Sequence, residues 1–155
     1  MNADKTVIAN LQTGASLECA LQLQLHLDVE ELKDIEMYDF ASKVDEWGER
    51  SERILKRISK RLIFFRIDPD YDGGKPKAVT TSLTAILQNE LKMEQNIHDQ
   101  YEDFCQQARV VKDESTAHEW KDYIHIHEKR IGWLERKLRQ IKNFGENEYA
   151  LEVMG

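Results

Sequence analysis

Three side chains able to hold a metal ion or a proton fall on apolar rows that repeat at helical spacing. In the stretch 115–143, Trp120, Ile124, His127, Ile131, Leu134, Leu138 and Ile141 recur at alternating steps of four and three, the seam of a helix packed into a bundle. His127 lies inside that row. Leu83, Leu87, Leu91, Glu94, Ile97 or His98, Tyr101 and Cys105 form the corresponding row of 80–111, so the Glu94 carboxylate is directed inward. A third row, Leu11, Gly14, Glu18, Leu21 and Leu25, carries Glu18. Charged side chains are almost never buried alone, because desolvating an unpaired carboxylate costs several kcal/mol or forces it to neutralise. Two carboxylates and an imidazole suit Fe(II), Mn(II) or Zn(II). Equally, Arg130, three residues after His127, could join a protonated His127 in buried salt bridges with no metal at all. The residues alone leave both arrangements open.

The remaining row, Phe40, Val44, Trp47, Ser51, Ile54, Ile58, Leu62 and Phe65, offers only a hydroxyl and an aliphatic group at mid-height. Glu46, Glu49 and Glu52 could supply ligands if this helix were rotated, but its apolar stripe argues against that. His98, four residues after Glu94, is a candidate additional ligand, although a His at a seam edge is more often a partly exposed polar residue. His26, His118 and His125 fall off the rows and read as surface residues. Trp47, Trp120 and Trp133 read as packing groups. Cys19 and Cys105 lack CxxC spacing, which argues for reduced thiols rather than a disulfide framework or zinc site.

Four long segments, roughly 5–34, 38–66, 80–111 and 115–143, must therefore position the site. The clearest break is Asp68-Pro69-Asp70-Tyr71-Asp72-Gly73-Gly74-Lys75-Pro76, which cannot continue a helix. A long crossover between helices two and three suits parallel neighbours, whereas the short links near 34–38 and 112–115 suit antiparallel ones. Asp113, Ser115 and Thr116, with Glu119 three residues after Thr116, mark the start of helix four. Gly145 marks its stop, and 147–154 can add one or two turns. The expectation is an all-α, ferritin-like four-helix bundle in one domain, 1–155, with a short C-terminal helix. Its 155 residues suit one core, and 33% charged residues with 7 Gly and 2 Pro favour long helices. No transmembrane run or signal-peptide core is present, so the expected location is the cytoplasm. Twenty-two basic against 29 acidic residues, a net charge of −7, argue against nucleic-acid binding and for attraction of cations. The basic run 50–66 alternates with apolar residues and reads as a solvated helix face.

These positions bring a resemblance into view. The stretch Arg130-Ile131-Gly132-Trp133-Leu134-Glu135-Arg136-Lys137-Leu138-Arg139-Gln140-Ile141, then Gly145 and Asn147-Glu148-Tyr149, is similar to the bacterioferritin pattern H-x-D-W-L-E-x-x-L-x-x-I, then G and N-Y. Lys5 to Leu11, and Arg61-Leu62-Ile63-Phe64-Phe65 running into Pro69, resemble the same family, with nearly the whole chain covered. The resemblance implies two irons held by Glu on helix one, E-x-x-H on helix two, Glu on helix three and E-x-x-H on helix four. Glu18 and Glu94 match the first and third elements. The second-helix pair falls on Ser51 and Ile54, and the fourth-helix pair on His127 and Arg130, so the expected metal ligands reduce to Glu18, Glu94 and His127, and no catalytic residue is assigned. Oxidation by two metals needs both ions held together, which three ligands do not readily provide. Leu25 stands where the family usually has a tyrosine. Glu52 stands where a Met would ligate haem, so haem is not expected. The implied protein is an iron-storage shell subunit with an incomplete ferroxidase site, possible binding of one iron or a mineral core, and assembly as a homo-oligomer, a 24-subunit cage, or with a catalytic bacterioferritin subunit. The alternatives are a ferritin-like oxidase rebuilt on Glu18, Glu94, His127 and Glu52 or His98, and a non-catalytic helical assembly protein.

Overall fold

A computed structural model describes residues 4–78 and 82–154. Five helices follow in order: α1 Lys5–Asp34, α2 Tyr38–Phe64, α3 Leu83–Val110, α4 Glu114–Phe144 and α5 Glu146–Met154. The four long ones match the apolar rows closely. The expected start of the third at 80 lies outside the described residues, and the helix begins at Leu83 with the Ser82 hydroxyl accepting from the Ala85 N–H.

Cross-helix bonds fix the topology. Along α1, Asn10 and Glu18 meet Gln107 and Tyr101 of α3 in reverse order, so α1 and α3 run antiparallel. Gly14 and Glu18 meet Trp120 and His127 of α4 in ascending order, so α1 and α4 run parallel. Arg61, Arg57 and Ser51 of α2 meet Asp113, Asp122 and Arg130 of α4 in reverse order, so α2 and α4 run antiparallel. It follows that α2 and α3 run parallel, as the long crossover requires. That crossover lies along α1: Gln12 accepts from the Asp70 N–H, Ser16 accepts from the Asp72 N–H, and Gln24 bonds both backbone groups of Lys77. Gly73 is needed along this path, since a Cβ there would stand 2.8 Å from the Cys19 Sγ and 3.3 Å from the Ala20 backbone nitrogen.

The helices stop by one device used three times. After α1, α2 and α3, a residue with positive φ (Glu36, Arg66, Lys112) turns the chain. Its N–H and the next one bond back to the last turn, as in Glu36 to the Lys33 carbonyl and Met37 to the Leu32 carbonyl. This is the Schellman arrangement, here without glycine. Gly145, at φ 81°, ends α4 as its type foretells. Helix α4 starts slightly earlier than the Thr116 capping signal: Asp113 is the cap, accepting from the Thr116 N–H, while Glu119 bonds Tyr123 and Arg57 instead. Helix α5 folds back so that Glu146 accepts from Ser82 and the Thr84 N–H, closing the exposed start of α3.

The fully buried row of α2 is the anticipated one, Ser51 and Ile54 included. On α4 the buried row is Trp120, Tyr123, His127, Arg130, Leu134 and Ile141, with Ile124, Ile131 and Leu138 only partly covered. The helix is thus turned toward the residues just before those isoleucines, and this turn sends Arg130 inward.

Candidate functional site

Glu18 of α1, Glu94 of α3 and His127 of α4 meet at one level of the bundle, each with no solvent exposure. The imidazole lies between the two carboxylates. Its Nε2 is 2.7 Å from Glu18 Oε2, and its Nδ1 bonds Glu94 Oε1. A neutral imidazole can donate from only one nitrogen, and an ionised carboxylate can only accept, so a histidine held by two carboxylates is an imidazolium. Arg130 completes the group. At 2% exposure it donates from Nη1 to Ser51 Oγ at 2.8 Å and to Glu94 Oε2 at 3.3 Å, and from Nη2 to the Trp47 carbonyl at 2.8 Å. Tyr101 of α3 donates to Glu18 Oε2 at 2.7 Å.

Two negative and two positive charges therefore cancel inside the core. Burial works against the charge on His127, but Glu18 and Glu94 outweigh it and push its pKa up to about 9. Burial likewise raises the Glu18 carboxyl, yet the adjacent His127, with Arg130 and the Tyr101 hydroxyl, holds it below the ordinary carboxylate range. Burial, with Glu18 next to its oxygen, sends the Tyr101 hydroxyl well above the usual phenol value, so that it stays a donor. Two atoms of the cluster lack partners, Glu18 Oε1 and Arg130 Nε.

The other expected residues sort clearly. Ser51 is a hydrogen-bond acceptor for Arg130, and Ile54 is an apolar wall 2% exposed. His98 faces outward to Asp99, Glu102 and Glu128 and takes no part in the buried group. Glu52 is exposed and pairs with Lys56, while Glu46 and Glu49 face solvent. His26, His118 and His125 lie on the surface or at its edge, as expected. Cys19 and Cys105 are free thiols.

Sequence reasoning overlooked a second buried polar level. Asp28 of α1 and Glu90 of α3 are both wholly inside, and their carboxyl groups adjoin each other. Both were readable in principle: Asp28 continues Leu21 and Leu25 by three, and Glu90 precedes Glu94 by one turn. The row through Leu91 obscured Glu90, because steps of three and four admit either neighbour.

These residues do not fit a pair of irons. One ring nitrogen of a histidine can ligate only when deprotonated, and here both nitrogens are engaged by carboxylates. Arg130 also places a fixed positive charge at the same level. Among the described residues of this cluster, only Glu18 Oε1 remains as a free oxygen donor.

Comparison with known proteins places the chain. None of the curated proteins compared with it matches. Among solved structures, Mycobacterium tuberculosis bacterioferritin, BfrA, superposes with a TM-score of 0.93 at 17% sequence identity, covering 100% of this chain and 98% of that one. At that identity the likeness establishes the fold. The model of the ferritin family, described as a ferritin-like domain, matches residues 8–144, nearly all of the four-helix bundle just described. With that match added to the parallel pairing of α2 and α3 across a long crossover, the chain belongs to the ferritin family.

Proposed function

We propose that this chain is a shell subunit of an iron-storage assembly of the bacterioferritin type, in which ion pairing closes the interior of the bundle and Fe(II) oxidation takes place in other subunits. The observation that carries this reading is His127, bonded to Glu18 through one nitrogen and to Glu94 through the other, with Arg130 behind it. A site already neutral and dry gains little from a cation, which would first have to displace a proton from His127 and face Arg130. Assembly as a homo-oligomer of 24 chains, or with a related catalytic subunit, is supported by apolar side chains left exposed along α1, α2 and the crossover: Leu23 (41%), Ile63 (56%) and Tyr71 (50%). The net charge of −7 would concentrate cations at the shell. Haem plays no part in this reading, since exposed Glu52 stands at the expected Met position.

One observation favours a second reading. The bare Glu18 Oε1 could accept a single Fe(II) shared with Glu94 and His127. Aerobic addition of Fe(II), followed by ferric absorbance, separates the two. The shell reading expects only slow background oxidation, and rapid saturable oxidation by the isolated chain would overturn it. Arg130→His should raise metal affinity if Arg130 is what closes the centre; unchanged affinity would count against that role. Size-exclusion chromatography tests assembly, where a monomer would favour the non-catalytic helical-module alternative.

A further inference from the structure

The Asp28–Glu90 level has no counterpart to His127 or Arg130. Both carboxyls are fully buried, and among the described residues no Lys, Arg or His side chain lies within ion-pairing distance of either. One oxygen of the four is satisfied: Asp28 Oδ1 accepts from Gln24 Nε2 at 3.0 Å. That amide has nothing more to give, because its other N–H goes to the Lys77 carbonyl at 2.7 Å and its oxygen accepts from the Lys77 N–H at 2.8 Å. Asp28 Oδ2 and both Glu90 oxygens are left with no donor among the described residues. Buried polar atoms in folded proteins almost always have a partner, and those without one call for a water, a proton or an ion.

A single shared proton cannot complete this set, since it serves two oxygens and leaves a third bare. We infer that Asp28 and Glu90 form an internal binding site for one hard divalent cation such as Mn(II) or Fe(II), set one helical turn along α3 from Glu94. The donor set is all oxygen, which hard cations take, and the ion would neutralise two carboxylates that no basic side chain pairs with. Without the ion a proton on the pair is favoured: burial, then Asp28 and Glu94 nearby, push Glu90 well above the ordinary range against the pull of Arg130, and burial raises Asp28. The site is separate from the ion-paired cluster, which supplies its own cations, so it stands whether or not that cluster excludes iron.

The test is Mn(II) titration of the metal-free full chain, followed by loss of the free-ion electron paramagnetic resonance signal, together with anomalous diffraction from Mn(II)-soaked crystals. The expected result is one Mn(II) per chain with its anomalous peak between Asp28 and Glu90. Asp28→Asn and Glu90→Gln should each weaken that binding about tenfold or more, as removal of a charged ligand does, whereas Glu128→Gln, at the exposed His98 group, should leave it unchanged. A wild-type crystal with no peak between Asp28 and Glu90 would overturn the inference, whether the ion is absent or sits at the exposed His98, Glu102 and Glu128 group. A peak confined to Glu18, Glu94 and His127 would overturn it too and would also sink the proposed function, while rapid iron oxidation with the Asp28 peak intact would sink that function alone. The peak position decides even where a variant fails to fold.

Discussion

At the level of Glu18 the core encloses four charges, two of each sign; one turn along α3, at Glu90, it encloses two carboxyls and no cationic side chain among the described residues. Both levels are equally shut off from solvent, so the difference is one of composition. At the first level His127 and Arg130 bring positive charge on side chains, and nearly every polar atom finds a partner. At the second level the chain supplies one donor, the Gln24 amide, to four carboxyl oxygens. A bundle interior can thus tolerate carboxylates in two ways, with a covalently attached counter-charge or with one drawn from solution, and the carboxyls at both levels here come from the same two helices, α1 and α3.

The largest effect should come from breaking the balanced level. Arg130→Met keeps most of the volume but leaves Glu94 with a bare oxygen, frees Ser51 and the Trp47 carbonyl, and strands a net negative charge. Removing one partner of a buried ion pair typically costs about 3–5 kcal/mol. Denaturant unfolding should report a loss of that order, and a loss under about 1 kcal/mol would mean that the cluster contributes no more than exposed pairs do. The accompanying double substitution, Arg130→Met with Glu94→Gln, should recover part of the loss, since it removes the stranded charge.

Next in size is a pH effect centred on His127 of the balanced level. The pKa of His127 rises from the ordinary 6.5 to about 9 on folding, so the folded state binds its proton more tightly than the unfolded chain does. The stability this brings is fully present below pH 6.5 and disappears as pH rises through about 9. Each tenfold gain in proton affinity is worth about 1.4 kcal/mol, so the loss amounts to roughly 3 kcal/mol. Unfolding free energies measured from about pH 6 to 10 should fall in that window for the wild type and fall less steeply for His127→Gln. A wild-type profile already flat there would indicate a neutral imidazole, which is the state a metal would need.

The contrast between the two levels also marks what the chain's pattern discloses. Long helices, their junctions and the inward direction of Glu18, Glu94 and His127 follow from apolar periodicity, because burial of a stripe is what holds a bundle together. Ser51 and Ile54 were equally plain, since α2 has one unambiguous stripe. The direction of Arg130 was not: a long basic side chain can reach solvent or turn inward, and only the rotation of α4 toward Tyr123 decides. Asp28 and Glu90 were hidden for a related reason. A polar residue beside an apolar one on a three-four pattern is assigned to the surface by default, and Leu91 took the place in the row that Glu90 occupies in space. The role of Tyr101 was out of reach as well, because its donation to Glu18 depends on the register between α1 and α3.

The smallest expected effect sharpens the comparison most. Glu90→Gln replaces a carboxyl by an amide of the same shape, and in the absence of divalent cations burial already favours the protonated carboxyl in the wild type. Exchanging one neutral donor–acceptor for another should change stability by less than about 1 kcal/mol, against several for Arg130→Met. The pH dependence gives the sign. Glu90 has a folded pKa raised above the ordinary 4.5, so its contribution is fully present below 4.5 and lost as pH rises through the higher folded value. Glu90→Gln should remove that decline and make the chain relatively more stable than wild type as pH increases. Adding Mn(II) should then reverse the order, stabilising the wild type but not the variant, because an ion that binds only the folded state adds its binding free energy to folding. If chelator-treated Glu90→Gln instead loses as much stability as Arg130→Met, the second level is a paired, structural element like the first, and the distinction between a built-in and a recruited counter-charge fails.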